Sequence, residues 1–102
     1  MADFIEAATL EQVPDGSMRG VKVEGKDILI VNFQGKYYAI GKKCTHLRGD
    51  LSKGKLDGKI VTCPWHGSQF DVTTGNAIKG PAKKNVPVYE VKVEGSSIKI
   101  SM

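Results

Sequence analysis

Two short runs of the chain, Cys44-Thr45-His46 and Cys63-Pro64-Trp65-His66, hold both of its cysteines and both of its histidines. Sixteen residues lie between the two runs. Each run offers one thiolate and one imidazole, a balanced set for binding metal. A lone cysteine is usually a packed small hydrophobe, and a lone histidine a hydrogen-bonded or surface side chain. Four such residues in paired spacing, with none left over, read as a metal site.

Two cysteines with two histidines also make a structural zinc site, which would turn the chain into an interaction module. Spacing argues against zinc. Paired zinc ligands typically stand about two to four residues apart so that both reach one ion, whereas Thr45 alone separates Cys44 from His46. A binuclear iron–sulfur centre relaxes that demand, because the two ligands of a pair can go to different metals.

The stretches Cys-Thr-His-Leu at 44–47 and Cys-Pro-Trp-His-Gly-Ser-Gln-Phe-Asp at 63–71 resemble the ligand motifs of Rieske proteins. Gly80-Pro81-Ala82 is similar to the proline-containing loop that covers the cluster in that family. The resemblance implies one [2Fe–2S] cluster, with Cys44 and Cys63 on the inner iron and His46 and His66 on the outer iron. It also implies an exit for the electron through the histidine ring edges to a docked partner. Around the ligands it places Leu47, Trp65, Gly67, Ser68, Phe70 and Pro81. In the family, the glycine lets backbone come close to the cluster and the serine hydroxyl can donate to a bridging sulfide. Trp65 suits either a lid over the cluster or an anchor for a partner.

Charge counting explains why such ligands suit electron transfer. Two ferric ions, two sulfides and two thiolates sum to zero, whereas four thiolates leave a charge of −2. An electron enters the less negative centre more easily, hence potentials of roughly −150 to +300 mV against about −400 mV for plant-type ferredoxins. Phe70 stands where high-potential members carry a tyrosine whose hydroxyl reaches a ligand sulfur, which predicts a value in the lower to middle part of that window. Gly49 and Trp65 occupy the positions of the extra, disulfide-paired cysteines of respiratory members. The resemblance therefore points to the soluble ferredoxins of Rieske oxygenase systems, which pass electrons from a reductase to a terminal oxygenase. An accessory subunit of a larger reductase would share the chemistry.

The elements that must position these residues read as all-β. Strand-like runs cover Phe4–Ala8, Gly20–Val23, Ile28–Phe33, Lys36–Ile40, Lys59–Thr62, Gln69–Val72, Val88–Val93 and Ile98–Ile100, rich in Val, Ile, Tyr and Phe. Breaks fall at Gly25-Lys26, Gln34-Gly35, Thr74-Gly75-Asn76 and Gly95-Ser96. One helical turn is expected at Thr9-Leu10-Glu11-Gln12, where Gln12 can close a capping box before Pro14 and Gly16 end it. Short strands with little helix predict a Rieske-type antiparallel sandwich or partly open barrel, with two ligand loops in a small cluster-binding part at about 42–84. The segments 41–58 and 79–87 interrupt the strand rhythm, as irregular loops that carry a site do.

A chain of 102 residues suits a single domain, 1–102, and 40% apolar with 25% charged residues is ordinary for a globular protein. It is too short for the mononuclear iron domain of an oxygenase, and no 2-His-1-carboxylate site remains once both histidines are used, so a carrier and not an enzyme is expected. No run approaches the roughly 18 apolar residues that span a bilayer, and Met1–Leu10 lacks the pattern of a secretory signal. The expected setting is the cytoplasm, as a monomer. The net charge of +4 is uneven. Residues 1–17 carry Asp3, Glu6, Glu11 and Asp15 and no base, while residues 42–84 carry nine bases against Asp50, Asp57 and Asp71. That surplus is either a solvated surface or a basic rim that steers an acidic partner. Nucleic acid is not expected, since no aromatic stacking platform accompanies the lysines.

Overall fold

A computed structural model of the chain describes residues 4–44, 49–64, 67–80 and 84–101. Its central element is a meander of Met18–Val23 (β2), Lys26–Phe33 (β3) and Lys36–Gly41 (β4). Glu24-Gly25 and Gln34-Gly35 both take positive φ, at 49° and 82° and at 54° and 84°. Two successive left-handed residues give the two-residue turn whose twist matches the strands it joins, which is why each pair ends in glycine. The first turn lies one residue before the expected Gly25-Lys26 break.

Phe4–Thr9 (β1), Val91–Glu94 (β10) and Ser97–Ser101 (β11) form a second antiparallel sheet, in the order β1-β11-β10. Lys55–Asp57 (β5), Ile60–Thr62 (β6), Gln69–Asp71 (β7) and Ala77–Lys79 (β8) form a third, and Val88–Tyr89 (β9) joins the edge of β4. All three sheets are open, as the all-β reading anticipates. The expected run Val88–Val93 is two strands, because the chain leaves β4 after Tyr89 and pairs with β11 from Val91. β5 and β8 were not legible: Lys-Leu-Asp and Ala-Ile-Lys have little intrinsic strand preference. Their pairing turns Leu56 and Ala77 onto the core, opposite Val61 and Phe70.

β3 is apolar on both faces, and its alternation divides the interior in two. Ile28 and Ile30 point into one core with Ala39, Val13, Ile98 and Ile100, between the meander and the β1-β11-β10 sheet. Leu29 and Val31 point into the other with Ile40, Leu51, Val61, Phe70, Val72 and Val86, and this core also takes in Cys44 and Cys63. Each fully buried Leu, Ile or Phe contributes about 1.5–3 kcal/mol. Asn32, the buried polar residue of β3, is held at both ends. Its Nδ2 donates to the Val13 carbonyl at 2.9 Å, and its Oδ1 accepts from Gly35 N–H at 3.0 Å.

The expected helical turn is a 3-10 segment at Leu10–Gln12, where Gln12 Oε1 accepts from Thr9 N–H at 3.0 Å. A second, unexpected 3-10 turn, Leu51–Lys53, follows the first ligand run. Among the described residues no helix is long and apolar enough to cross a membrane.

Candidate metal centre

The two cysteines open two loops of the same design. An antiparallel bridge between Lys43 and Asp50 closes the first, and the pairing of Thr62 with Gln69 closes the second. Six residues lie inside each closure, and in each the cysteine comes first. Cys44 N–H donates to the Gly49 carbonyl, and Cys63 N–H to the Ser68 carbonyl, both at 2.7 Å. Both cysteines are almost wholly buried, at 1% and 2% exposure, within one apolar core.

An aspartate stands just beyond each loop in an Asp-x-Ser/Thr turn. Asp50 Oδ1 accepts from Ser52 N–H at 3.0 Å and from its hydroxyl at 2.6 Å. Asp71 Oδ1 accepts from Thr73 N–H at 2.8 Å and from its hydroxyl at 2.6 Å. Burial alone would raise both carboxyl pKa values. The Ser52 and Thr73 hydrogen bonds, with Lys42 beside Asp50 and Lys59 beside Asp71, outweigh it and hold both below the ordinary 3.8. The sequence reading counted these aspartates as charges and missed their turns, although Asp-Leu-Ser and Asp-Val-Thr after successive ligand runs are a repeated turn signature.

Two glycines bring the loops together. A Cβ on Gly54 would collide with the Thr62 carbonyl oxygen, so the exit of the first loop lies against the entry of the second. A Cβ on Gly80 would stand 2.6 Å from Ser68 Cα and 3.0 Å from Ser68 N, so the segment leading to Pro81 rests on the exit of the second loop. Gly80 also has φ +93°, a conformation that favours glycine. Behind the loops, Gly41 N–H donates to the Pro87 carbonyl at 2.9 Å. This closes the neck through which residues 42–87 leave and rejoin the meander.

Of the residues singled out in the sequence, Cys44, Cys63, Gly67, Ser68 and Phe70 are described. His46, Leu47, Trp65, His66 and Pro81 lie outside the described residues. Ser68 and Phe70 are completely buried, and Phe70 lies in the core that holds both cysteines. Gly67 has φ +74°, and among the described residues beyond its chain neighbours nothing stands within 4 Å of a would-be Cβ, so conformation reserves it for glycine.

This placement fits a cluster held by thiolates. An anionic sulfur in an apolar core is tolerated only beside compensating charge, and coordinated iron supplies that charge while keeping the thiol deprotonated. In the sequence a histidine stands two residues after Cys44 and another three after Cys63, and two histidines with two cysteines are the donor types of a Rieske centre.

Comparison with known proteins identifies the family. Residues 3–90 match the model of the Rieske [2Fe-2S] domain. The ferredoxin component of the naphthalene 1,2-dioxygenase system of Pseudomonas aeruginosa is 38% identical over 99 residues, covering 97% of this chain and 95% of that one. A ferredoxin of Sphingomonas yanoikuyae B1 superposes with a TM-score of 0.93 at 29% identity, covering 98% and 99% of the two chains. A ferredoxin bound to its oxygenase in carbazole 1,9a-dioxygenase gives 0.90 at 28%, covering 96% and 92%. Nothing in these likenesses supports a zinc module or a subunit of a larger reductase. With its paired Cys/His loops and near end-to-end similarity to these carriers, the chain belongs to the Rieske [2Fe–2S] domain family, as a ferredoxin that carries one cluster and transfers electrons without catalysing a reaction.

Proposed function

We propose that Cys44 and Cys63 hold the inner iron, and His46 and His66 the outer iron, of a cluster that takes one electron from a reductase and gives it to a terminal oxygenase. The cluster supplies the one-electron chemistry; the chain supplies its surroundings. Matched loops with a buried cysteine at the head of each are the observation that carries this reading. The Cys44 and Cys63 amides are spent on the Gly49 and Ser68 carbonyls, which ties each cysteine to the far end of its own loop. The apolar core behind the cysteines excludes water from the inner side and leaves exchange with a partner to the outer side.

The oxygenase partner follows from the systems to which the similar ferredoxins belong. The protein works in the cytoplasm as a monomer that docks and leaves, with residues 1–102 acting as one domain. Electron paramagnetic resonance of the dithionite-reduced protein tests the ligand set. A rhombic signal with average g near about 1.9 is expected for a mixed His/Cys cluster. Cys44→Ser and His66→Cys should abolish or alter that signal, and an unaltered spectrum in either variant would remove that residue from the ligand set.

A further inference from the structure

We propose that the outward face of the β5–β8 sheet is the surface on which an acidic redox partner docks, through Lys55, Lys79 and the exposed Ile78. The inference rests on the electron-carrier reading and adds the place and chemistry of the contact.

Pairing across the sheet sets Lys55, Thr62, Gln69 and Lys79 in one row. The next row, Leu56, Val61, Phe70 and Ala77, packs into the core that holds the cysteines, so the first row faces outward. Thr62 and Gln69, joined at 3.2 Å through Gln69 Nε2 and Thr62 Oγ1, are also the pair that closes the second ligand loop. The lysines at the ends of the row thus lie on strands flanking the stem of a cluster loop. Between Gln69 and Phe70 the register slips by one residue. This bulge leaves Ile78 without a partner on β7, and its side chain is 50% exposed. Bulges re-aim side chains in this way beside functional sites.

Charge pairing separates these lysines from the others in the basic stretch. Lys42 lies 3.6 Å from Asp50 and 4.0 Å from Asp27, Lys43 lies 3.6 Å from Asp27, and Lys59 lies 3.5 Å from Asp71. At the far end, Lys92 and Lys99 share Glu94. Among the described residues Lys53, Lys55 and Lys79 enter no such pair, and the exposed Asp57 on β5 only partly offsets them. An exposed isoleucine beside Lys79, with Lys55 at the opposite edge of the same sheet, suits a partner that presents an apolar spot near carboxylates. It does not suit a basic partner.

The probe is an acidic plastocyanin, a one-electron acceptor, used with the cluster-loaded protein. Carbodiimide coupling of its carboxylates to lysines, mapped by mass spectrometry, is expected to join Lys55 and Lys79, and not Lys36 at the distal end of β4. In stopped-flow oxidation at about 10 mM salt, Lys55→Glu and Lys79→Glu should each slow the reaction about tenfold. Lys36→Glu, with the same change in net charge, should slow it less than about twofold. Ile78→Ser should slow it severalfold, and Val93→Ser, at an equally exposed distal valine, should not. Couplings spread evenly over the surface, or equal slowing by Lys36→Glu and Lys79→Glu, would overturn the docking face. A protein without a visible iron–sulfur spectrum would instead overturn the carrier reading, and the coupling map would still report on the face.

Discussion

Gly80→Ala should loosen the segment after β8 from the second ligand loop, by an amount the geometry sets. An alanine at φ +93° pays the left-handed penalty of about 1–2 kcal/mol. Its Cβ would also stand 2.6 Å from Ser68 Cα, where carbon atoms normally rest about 3.5–4.0 Å apart. Either backbone must retreat by about 1 Å, and if Ser68 yields, its carbonyl leaves the 2.7 Å bond from Cys63 N–H. Losing that hydrogen bond costs about 1 kcal/mol more. The total is about 2–3 kcal/mol, or roughly 10 °C in apparent melting temperature for a chain of this size. Gly95→Ala is the matched control, because Gly95 also has positive φ, at 59°, with nothing within 4 Å of a would-be Cβ. It should cost only the backbone term, about 1–2 kcal/mol or roughly 6 °C on the same scale. Melting of both holoproteins at one scan rate, followed by visible absorption and circular dichroism, gives the comparison. Equal losses in the two variants would refute the claim that Gly80 is kept for its approach to Ser68.

Other outcomes follow from the same geometry. Phe70→Tyr places a hydroxyl in the core that holds both cysteines; donating to a ligand sulfur, it should raise the potential by about 40 mV, the equivalent of 1 kcal/mol for one electron. A redox titration showing no rise would place the hydroxyl elsewhere. Asp50 and Asp71 titrate below 3.8 in the folded chain, so their contribution is complete above that value and is lost as pH falls through the lowered folded values. Stability measured against pH should therefore drop more steeply below about pH 4 in the parent than in Asp71→Asn. Asn32→Ala strands the Val13 carbonyl and the Gly35 amide and should cost about 2–3 kcal/mol in denaturant unfolding.

The family and the meander were legible because each has a local cause. Cys and His at fixed spacings announce coordination, and Gln34-Gly35 between alternating apolar runs announces a hairpin. β5 and β8 were not legible, because Lys-Leu-Asp and Ala-Ile-Lys become strands only by pairing with β6 and β7. Gly54 was hidden for a related reason, and so was the contact made by Gly80, which the sequence marked only as part of the loop with Pro81. What makes the two glycines matter is a contact with Thr62 and with Ser68, which no neighbouring residue encodes. The split at Glu90 was also beyond local reading, since Val88–Val93 is a continuous strand by composition and two strands by partnership.

The neck at Gly41 and Pro87 bears on how the holoprotein is made. Everything that presents the cysteines leaves and re-enters the platform at this one point, and the core on the far side of β3 contains neither of them. A chain that has not yet received iron can keep that far core and the meander folded while the excursion stays slack. Biogenesis factors then meet an ordered platform bearing two receptive loops, and delivery of the cluster becomes the closing step of folding.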